Sequence, residues 1–211
     1  VLYTGALSSC SWRVRTALAL KSIDYTPFFV NGETIESLRE VNPLGKVPAL
    51  KINGSVLVES SAIIEYLDET FPDQPLFPRD SAIMRAKVRM VVQVINSEIQ
   101  PFQNTGFIDR LGDKFPTLEK AKWGHDICAN ELGKLEKILE TTAGKYCVGD
   151  QITAADIYLV PQVWNADRRF KVDLTAMPII KRVYETLFEH EAFKKANPMN
   201  QPYMPSNIEV Q

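Results

Sequence analysis

Ser8, Ser9, Cys10 and Ser11 place three hydroxyls and a thiol in consecutive positions, between an apolar start, Val1-Leu2-Tyr3, and a helical run from Val14 to Leu20. A strand, a turn of small residues and a helix point unpaired backbone N–H groups at one spot, and the helix dipole adds partial positive charge there. Such a spot attracts anions, and a phosphate, a carboxylate or a thiolate would each be satisfied. Two further positions carry chemistry. Val47-Pro48 reads either as a proline tolerated at a strand start or as a cis-proline turn that frees the Val47 backbone for a peptide-like ligand. Glu59-Ser60 reads either as a plain helix cap or as a corner for a zwitterion. In the second case Ser60 and the helix N–H groups take a carboxylate, and Glu59 takes an ammonium.

The surrounding elements decide whether these positions meet. The spacing predicts a strand over 1–4, a helix over 10–21, an aromatic-rich strand over 25–30 and a short helix over 35–41. Val47 to Ile52 and Val56 to Val58 flank Asn53-Gly54, the strongest short hairpin signal, because both residues tolerate positive φ. A helix over 60–71 follows, with Ile63, Ile64 and Leu67 inward. The order β-α-β-α-β-β-α is that of a thioredoxin-like domain with a mixed sheet, in which the three candidate positions face one edge. Together they suit a small zwitterionic peptide that carries a thiol.

Three prolines between Pro72 and Pro78 stop the helix and stiffen the chain. The expected division is therefore a first domain over 1–78, with its linker at about 72–78, and an all-helical domain over 79–211. Strand signals vanish after the linker. Helices are predicted over 80–99, 117–142, 153–170 and 177–190, with Thr153 and Asp156 as a variant capping box. Cys128 falls at helical spacing with Leu132, Leu135 and Leu139, which makes it a core residue. The tail after Asn197 holds three prolines and is expected to wrap or fray.

Composition narrows the function. The chain has 211 residues, 45% of them apolar, so a sizeable core can form. A formal net charge of −2 without a long basic run argues against a nucleic-acid surface. No apolar run is long enough to cross a bilayer, and nothing resembles a secretory signal, so no membrane partner is expected. The three cysteines are an odd number and form no Cys-x-x-Cys, which argues against a disulfide framework and a metal site, and for a reducing, cytoplasmic setting. His125 and His190 lie among charged residues and read as exposed helix positions, which disfavours a Ser-His-Asp hydrolase.

The chain resembles the glutathione transferases, and closely their zeta class, over nearly all its length. Ser8-Ser9-Cys10-Ser11-Trp12-Arg13-Val14-Arg15 matches the class signature. Asn42-Pro43-Leu44-Gly45-Lys46-Val47-Pro48 and Glu59-Ser60 with Ala62-Ile63-Ile64-Glu65-Tyr66-Leu67 match the wider superfamily. Ile99 to Asn104, Tyr146 to Asp150 and Val160 to Val163 resemble the class again. The resemblance implies glutathione as cofactor, with Ser8 donating to its sulfur and Ser9 and Cys10 flanking it. Val47, before Pro48, would pair with the peptide backbone, and Glu59 and Ser60 would hold the γ-glutamyl end. Gln100 and Asn104, one helical turn apart, would approach from the second domain, and Arg13, Arg168 and Arg169 would hold substrate carboxylates. A homodimer acting on a small carboxylate substrate is implied as well. The chain departs from the family at Gly5-Ala6-Leu7, where bulky residues and an arginine are usual. That departure widens the pocket or removes a charged contact.

The implied activity is cis–trans isomerisation of maleylacetoacetate to fumarylacetoacetate, with transferase activity on small α-halo acids. A thiol of ordinary acidity is mostly protonated at neutral pH, while its thiolate is the nucleophile. Lowering its pKa by about 2 takes about 2.7 kcal/mol, within reach of a charge-assisted hydrogen bond and a helix dipole. The rivals are a general glutathione-conjugating transferase, a non-catalytic binding module of the same fold, and a disulfide reductase suggested by Cys10.

Overall fold

The computed structural model describes residues 1–203. The chain forms two compact units. Among the described residues the first joins Val1–Pro75 to residues 189–203, and the second runs over Leu76–Phe188. The first division falls inside the proline-rich stretch. The return of the C-terminal segment to the first unit departs from the expectation of one helical domain after residue 78.

In the first unit, β1 (Leu2–Thr4), β2 (Pro27–Phe29), β3 (Ala49–Ile52) and β4 (Ser55–Val58) form one sheet in the order β2-β1-β3-β4. β1 and β2 are parallel, whereas β3 is antiparallel to both β1 and β4. Asn53 (φ 49°) and Gly54 (φ 78°) close the β3–β4 hairpin, as that dipeptide predicts. The helices are α1 (Ser9–Leu20), α2 (Ile35–Val41) and α3 (Ser60–Thr70). Lys21 Nζ lies 2.9 Å from an Asp68 carboxylate oxygen and donates to Phe71 C=O at 2.7 Å, so one buried cation ties the ends of α1 and α3 together.

In the second unit the expected single helix over 80–99 is divided. α4 (Ala82–Gln93) passes into a π-helical turn (Val94–Ile99) and then α5 (Gln100–Gln103). Pro101 has no N–H to donate to the preceding turn and its ring crowds it, so the regular ladder cannot run through. Residue 104 leaves the helix (ψ 134°) and starts α6 (Thr105–Lys114), an element not anticipated. Gly106 and Gly112 weaken its helical signal, although Phe107, Ile108 and Leu111 carry the spacing that marks it. α7 (Lys120–Leu139), α8 (Ala154–Arg168) and α9 (Pro178–Phe188) complete the unit. Every residue of α8 from Ala154 to Ala166 is buried, which makes it the central helix. α10 (Glu191–Ala196) belongs to the first unit and packs on α1. Within the tail Pro198–Asn200 forms a 3-10 turn and Tyr203 stacks on Phe29, with ring centroids 4.9 Å apart. The rest of the expected wrapping or fraying, over residues 204–211, lies outside the described residues. No helix among the described residues is long and apolar enough to cross a membrane.

Glu136 shows how the second unit closes. Its buried carboxylate accepts Ile179 N–H at 2.8 Å and Ile180 N–H at 2.9 Å, capping α9 from α7. Glu136→Ala leaves two donors without partners, and the expected loss is about 2–3 kcal/mol. Glu136→Gln, which keeps one acceptor, should lose less. Urea unfolding followed through Trp123 and Trp164 measures this, and equal midpoints for Glu136→Ala and wild type would refute the assignment.

Candidate active site

The first candidate residues sit where β1 gives way to α1. Ser8 caps α1 from an extended conformation, and its Oγ accepts Ser11 N–H at 3.2 Å. A hydroxyl that accepts in this way still has its own proton to donate. Among the described residues that proton has no acceptor. Ser9, the first residue of the helix, is buried, and Cys10 is half-buried. Gly5 accounts for the small residues ahead of the cap. Its N–H donates to Ser11 Oγ at 3.1 Å, and a Cβ on Gly5 would lie 3.1 Å from Val47 Cγ2 and 3.3 Å from Ser8 Cβ. Only a residue without a side chain fits this gap comfortably, so Ser8 and Val47 meet around Gly5.

The Val47–Pro48 peptide bond is cis. Among the described residues neither Val47 N–H nor Val47 C=O has a hydrogen-bond partner. The loop before it is held by buried Asn42, whose Nδ2 donates to Lys46 C=O at 2.6 Å and whose Oδ1 accepts Leu44 N–H at 3.0 Å. The edge offered by Val47 is thus unpaired and placed on a fixed support.

The third position is the start of α3. Ser60 is its first residue, and Glu59 is the cap rather than Ser60. Glu59 has φ 68° and ψ 120°, and its side chain makes no capping bond. A non-glycine residue in this region carries strain of about 1–3 kcal/mol. The Glu59 carboxylate is exposed and faces no cation among the described residues. Ser60 Oγ accepts from Arg13 Nη1 at 3.3 Å, and both residues are buried.

Arg13 departs from expectation. It is fully buried and directed at Ser60, not an accessible arginine waiting for a substrate carboxylate. Every residue of α1 from Ser11 to Leu18 is buried. The helix is covered by α3 and by α10, which arrives from the far end of the chain. Arg15, which sequence reasoning missed, joins those distant parts. Its Nε donates to Ala196 C=O at 3.0 Å, and its Nη1 donates to Thr4 Oγ1 at 2.9 Å and Gly5 C=O at 3.2 Å. Burial lowers its pKa.

The remaining candidates lie in the second unit. Gln100 is half-buried at the start of α5. Asn104 is not one turn further on the same helix, because it ends α5 and its Oδ1 accepts Gly106 N–H at 3.0 Å as the cap of α6. Arg168 is exposed, with Nε 3.2 Å from an Asp167 carboxylate oxygen. Arg169 lies over the Phe170 ring, 4.7 Å from its centroid, and partial burial lowers its pKa. His125 Nδ1 lies 3.2 Å from Asp126 Oδ1 on α7. His190 is not in a helix interior; its Nδ1 accepts Ala192 N–H at 3.2 Å as the cap of α10.

All three cysteines are free. Burial raises the Cys128 thiol to about 12 and the Cys147 thiol well above its ordinary value. Both therefore stay protonated near neutral pH and are poor nucleophiles. An aromatic disulfide reagent should titrate Cys10 alone in the folded protein and all three thiols after denaturation. Fast reaction of a second thiol in the native state would contradict this.

The geometry combines a hydroxyl donor at a helix start, an unpaired peptide edge, a second hydroxyl donor at another helix start and an unpaired carboxylate. The glutathione S-transferase N-terminal domain matches residues 7–70, and the glutathione S-transferase C-terminal domain matches residues 110–196. Maleylacetoacetate isomerase of Mus musculus is 44% identical over 214 residues, spanning 99% of this chain and 96% of that protein. The crystal structure of maleylacetoacetate isomerase from Anaeromyxobacter dehalogenans with bound glutathione is 38% identical, with a TM-score of 0.87 over 97% of each chain. The holo structure of a bacterial zeta-class maleyl pyruvate isomerase is 35% identical, with a TM-score of 0.90 over 97% of this chain and 99% of that one. The chain belongs to the glutathione S-transferase family, in its zeta class of maleylacetoacetate isomerases.

Proposed function

We propose that this protein is a glutathione-dependent isomerase that converts maleylacetoacetate to fumarylacetoacetate. The observation that carries the reading is the Ser8 hydroxyl. It is fixed as an acceptor toward Ser11 and left with a proton to donate at the positive end of α1, in a chain alike along its whole length to maleylacetoacetate isomerases. The other groups fit glutathione in kind. Val47 offers a free backbone edge to a peptide, Ser60 a hydroxyl donor to a carboxylate, and Glu59 a carboxylate to an ammonium.

When bound, glutathione supplies a thiolate that adds reversibly to the cis double bond, so that the bond can rotate before the thiolate leaves. Ser8 donates to the sulfur and stabilises its anion, and the N-terminal end of α1 adds to that stabilisation. Ser9 and Cys10 border the sulfur, and Cys10 has a secondary role. Val47, held by Pro48, pairs with the peptide backbone. Gln100 and Asn104 are assigned to glutathione from the second unit, and Arg168 and Arg169 to the substrate carboxylates. No histidine base is needed. Displacement of halide from small α-halo acids would use the same thiolate. A cytoplasmic setting, supported by three free cysteines, and pairing of two copies belong to the same proposal.

Two measurements test it. Ser8→Ala should lower isomerase turnover about 10²–10³-fold, the usual effect of removing one donor to reacting negative charge. Glutathione binding should stay nearly intact, while the ultraviolet absorbance of the bound thiolate appears only at higher pH. Full activity in Ser8→Ala would sink the assignment. Glu59→Gly should raise the thermal midpoint, because glycine takes positive φ without strain, and should weaken glutathione binding by removing the partner of its ammonium. A variant that is more stable and binds equally well would show that Glu59 has no role in the ligand.

A further inference from the structure

Two observations on Arg13 are left unexplained by a substrate-binding role. It is 0% exposed, and its Nη1 donates to the hydroxyl of Ser60, itself 3% exposed. A guanidinium can only donate. The Ser60 oxygen therefore accepts on the side facing α1, and its proton must turn elsewhere. Among the described residues that proton finds no acceptor. It sits at the first residue of α3, a helix whose start is not closed by any side chain. A buried hydroxyl with one bond fixed and its proton unmatched, at the positive end of a helix, is a donor set for an anion.

We propose that Arg13 is a positioning residue that acts through Ser60, holding the serine proton toward the α-carboxylate of the γ-glutamyl group of glutathione, and that it does not itself contact the isomerised substrate. The proposal rests on the glutathione reading above and deepens it. It also gives α1 a double duty. The start of the helix holds the sulfur at Ser8, and Arg13, further along, supports the carboxylate end through Ser60. A planar, charged donor at fixed reach suits this task better than a flexible ammonium.

The test is equilibrium binding by calorimetry to wild type, Arg13→Gln, Ser60→Ala and the double variant. The ligands are glutathione and an analogue with 4-aminobutanoyl in place of γ-glutamyl, which lacks only the α-carboxylate. Arg13→Gln should weaken glutathione binding about tenfold, the range for a hydrogen bond in a charged network, and should leave the weaker binding of the analogue unchanged. In the Ser60→Ala background, loss of Arg13 should change nothing further. KM for glutathione should rise while kcat at saturation holds, and Arg13→Lys should recover part of the affinity. Additive losses in the double variant, or an equal loss with the analogue, would overturn the proposal. Should Arg13→Gln fail to fold, the arginine side-chain N–H resonance that disappears in Arg13→Lys is followed in the wild-type protein. It should shift with glutathione and not with the analogue, and identical responses overturn the proposal as well. Wild type that binds no glutathione at all would sink the glutathione reading itself, an outcome distinct from these.

Discussion

Ser8 Oγ accepts Ser11 N–H at 3.2 Å, and this bond decides what the Ser8 proton is free to do. A serine that caps a helix serves as an acceptor toward the helix, so its donor side is left for a ligand. The bond depends in turn on the chain before it. Gly5 must pass close to Val47 and Ser8, and its N–H must be held by Ser11 Oγ, for the turn to deliver Ser8 at the mouth of α1. The Gly5-Ala6-Leu7 segment therefore has a packing role at its first residue. In the proposed function, strand, tight turn and helix cap in succession activate the sulfur, with no titrating base.

The elements legible in the sequence were those written in local chemistry. Asn53-Gly54 closes a hairpin because both residues accept positive φ, and the Ser8 and Thr153 starts declare themselves by residue type. The proline-rich stretch divides the chain between Pro75 and Leu76. What escaped was non-local. Nothing near α1 announces that α10 will cover it, so Arg13 read as a substrate-binding residue and Arg15 went unassigned, when both are interior. The cap of α9 is Glu136, far away on α7. The division at Asn104 and the helix α6 were hidden by Pro101 and two glycines, which blur helical periodicity.

The polar residues of the first unit's interior show what this arrangement costs. Burying a guanidinium is unfavourable unless its donors are matched. Arg15 meets the requirement in part: its Nε and Nη1 donate to two backbone carbonyls and the Thr4 hydroxyl, linking the end of β1 to Ala196 of α10, while its buried Nη2 is left unmatched among the described residues. Lys21 does so with Asp68 and Phe71 C=O. Apolar residues would satisfy the packing with less desolvation. What the charged residues add is direction, since each fixes a chain end at a defined place. The turn that presents Ser8 is held by one of them.

Two helix starts in this chain solve the same problem in opposite ways. At α8 the problem is closed internally: buried Asp156 accepts Thr153 N–H at 2.7 Å and Cys147 N–H at 2.9 Å, and these bonds offset the burial that raises its pKa. At α3 the cap is a glutamate in a strained backbone conformation whose side chain makes no bond to the helix. A chain able to build the first arrangement has no shortage of capping residues for the second. Glu59 keeps its carboxylate out of the cap and Ser60 keeps a proton to give, and in the proposed function a bound zwitterion, rather than the protein itself, would match both.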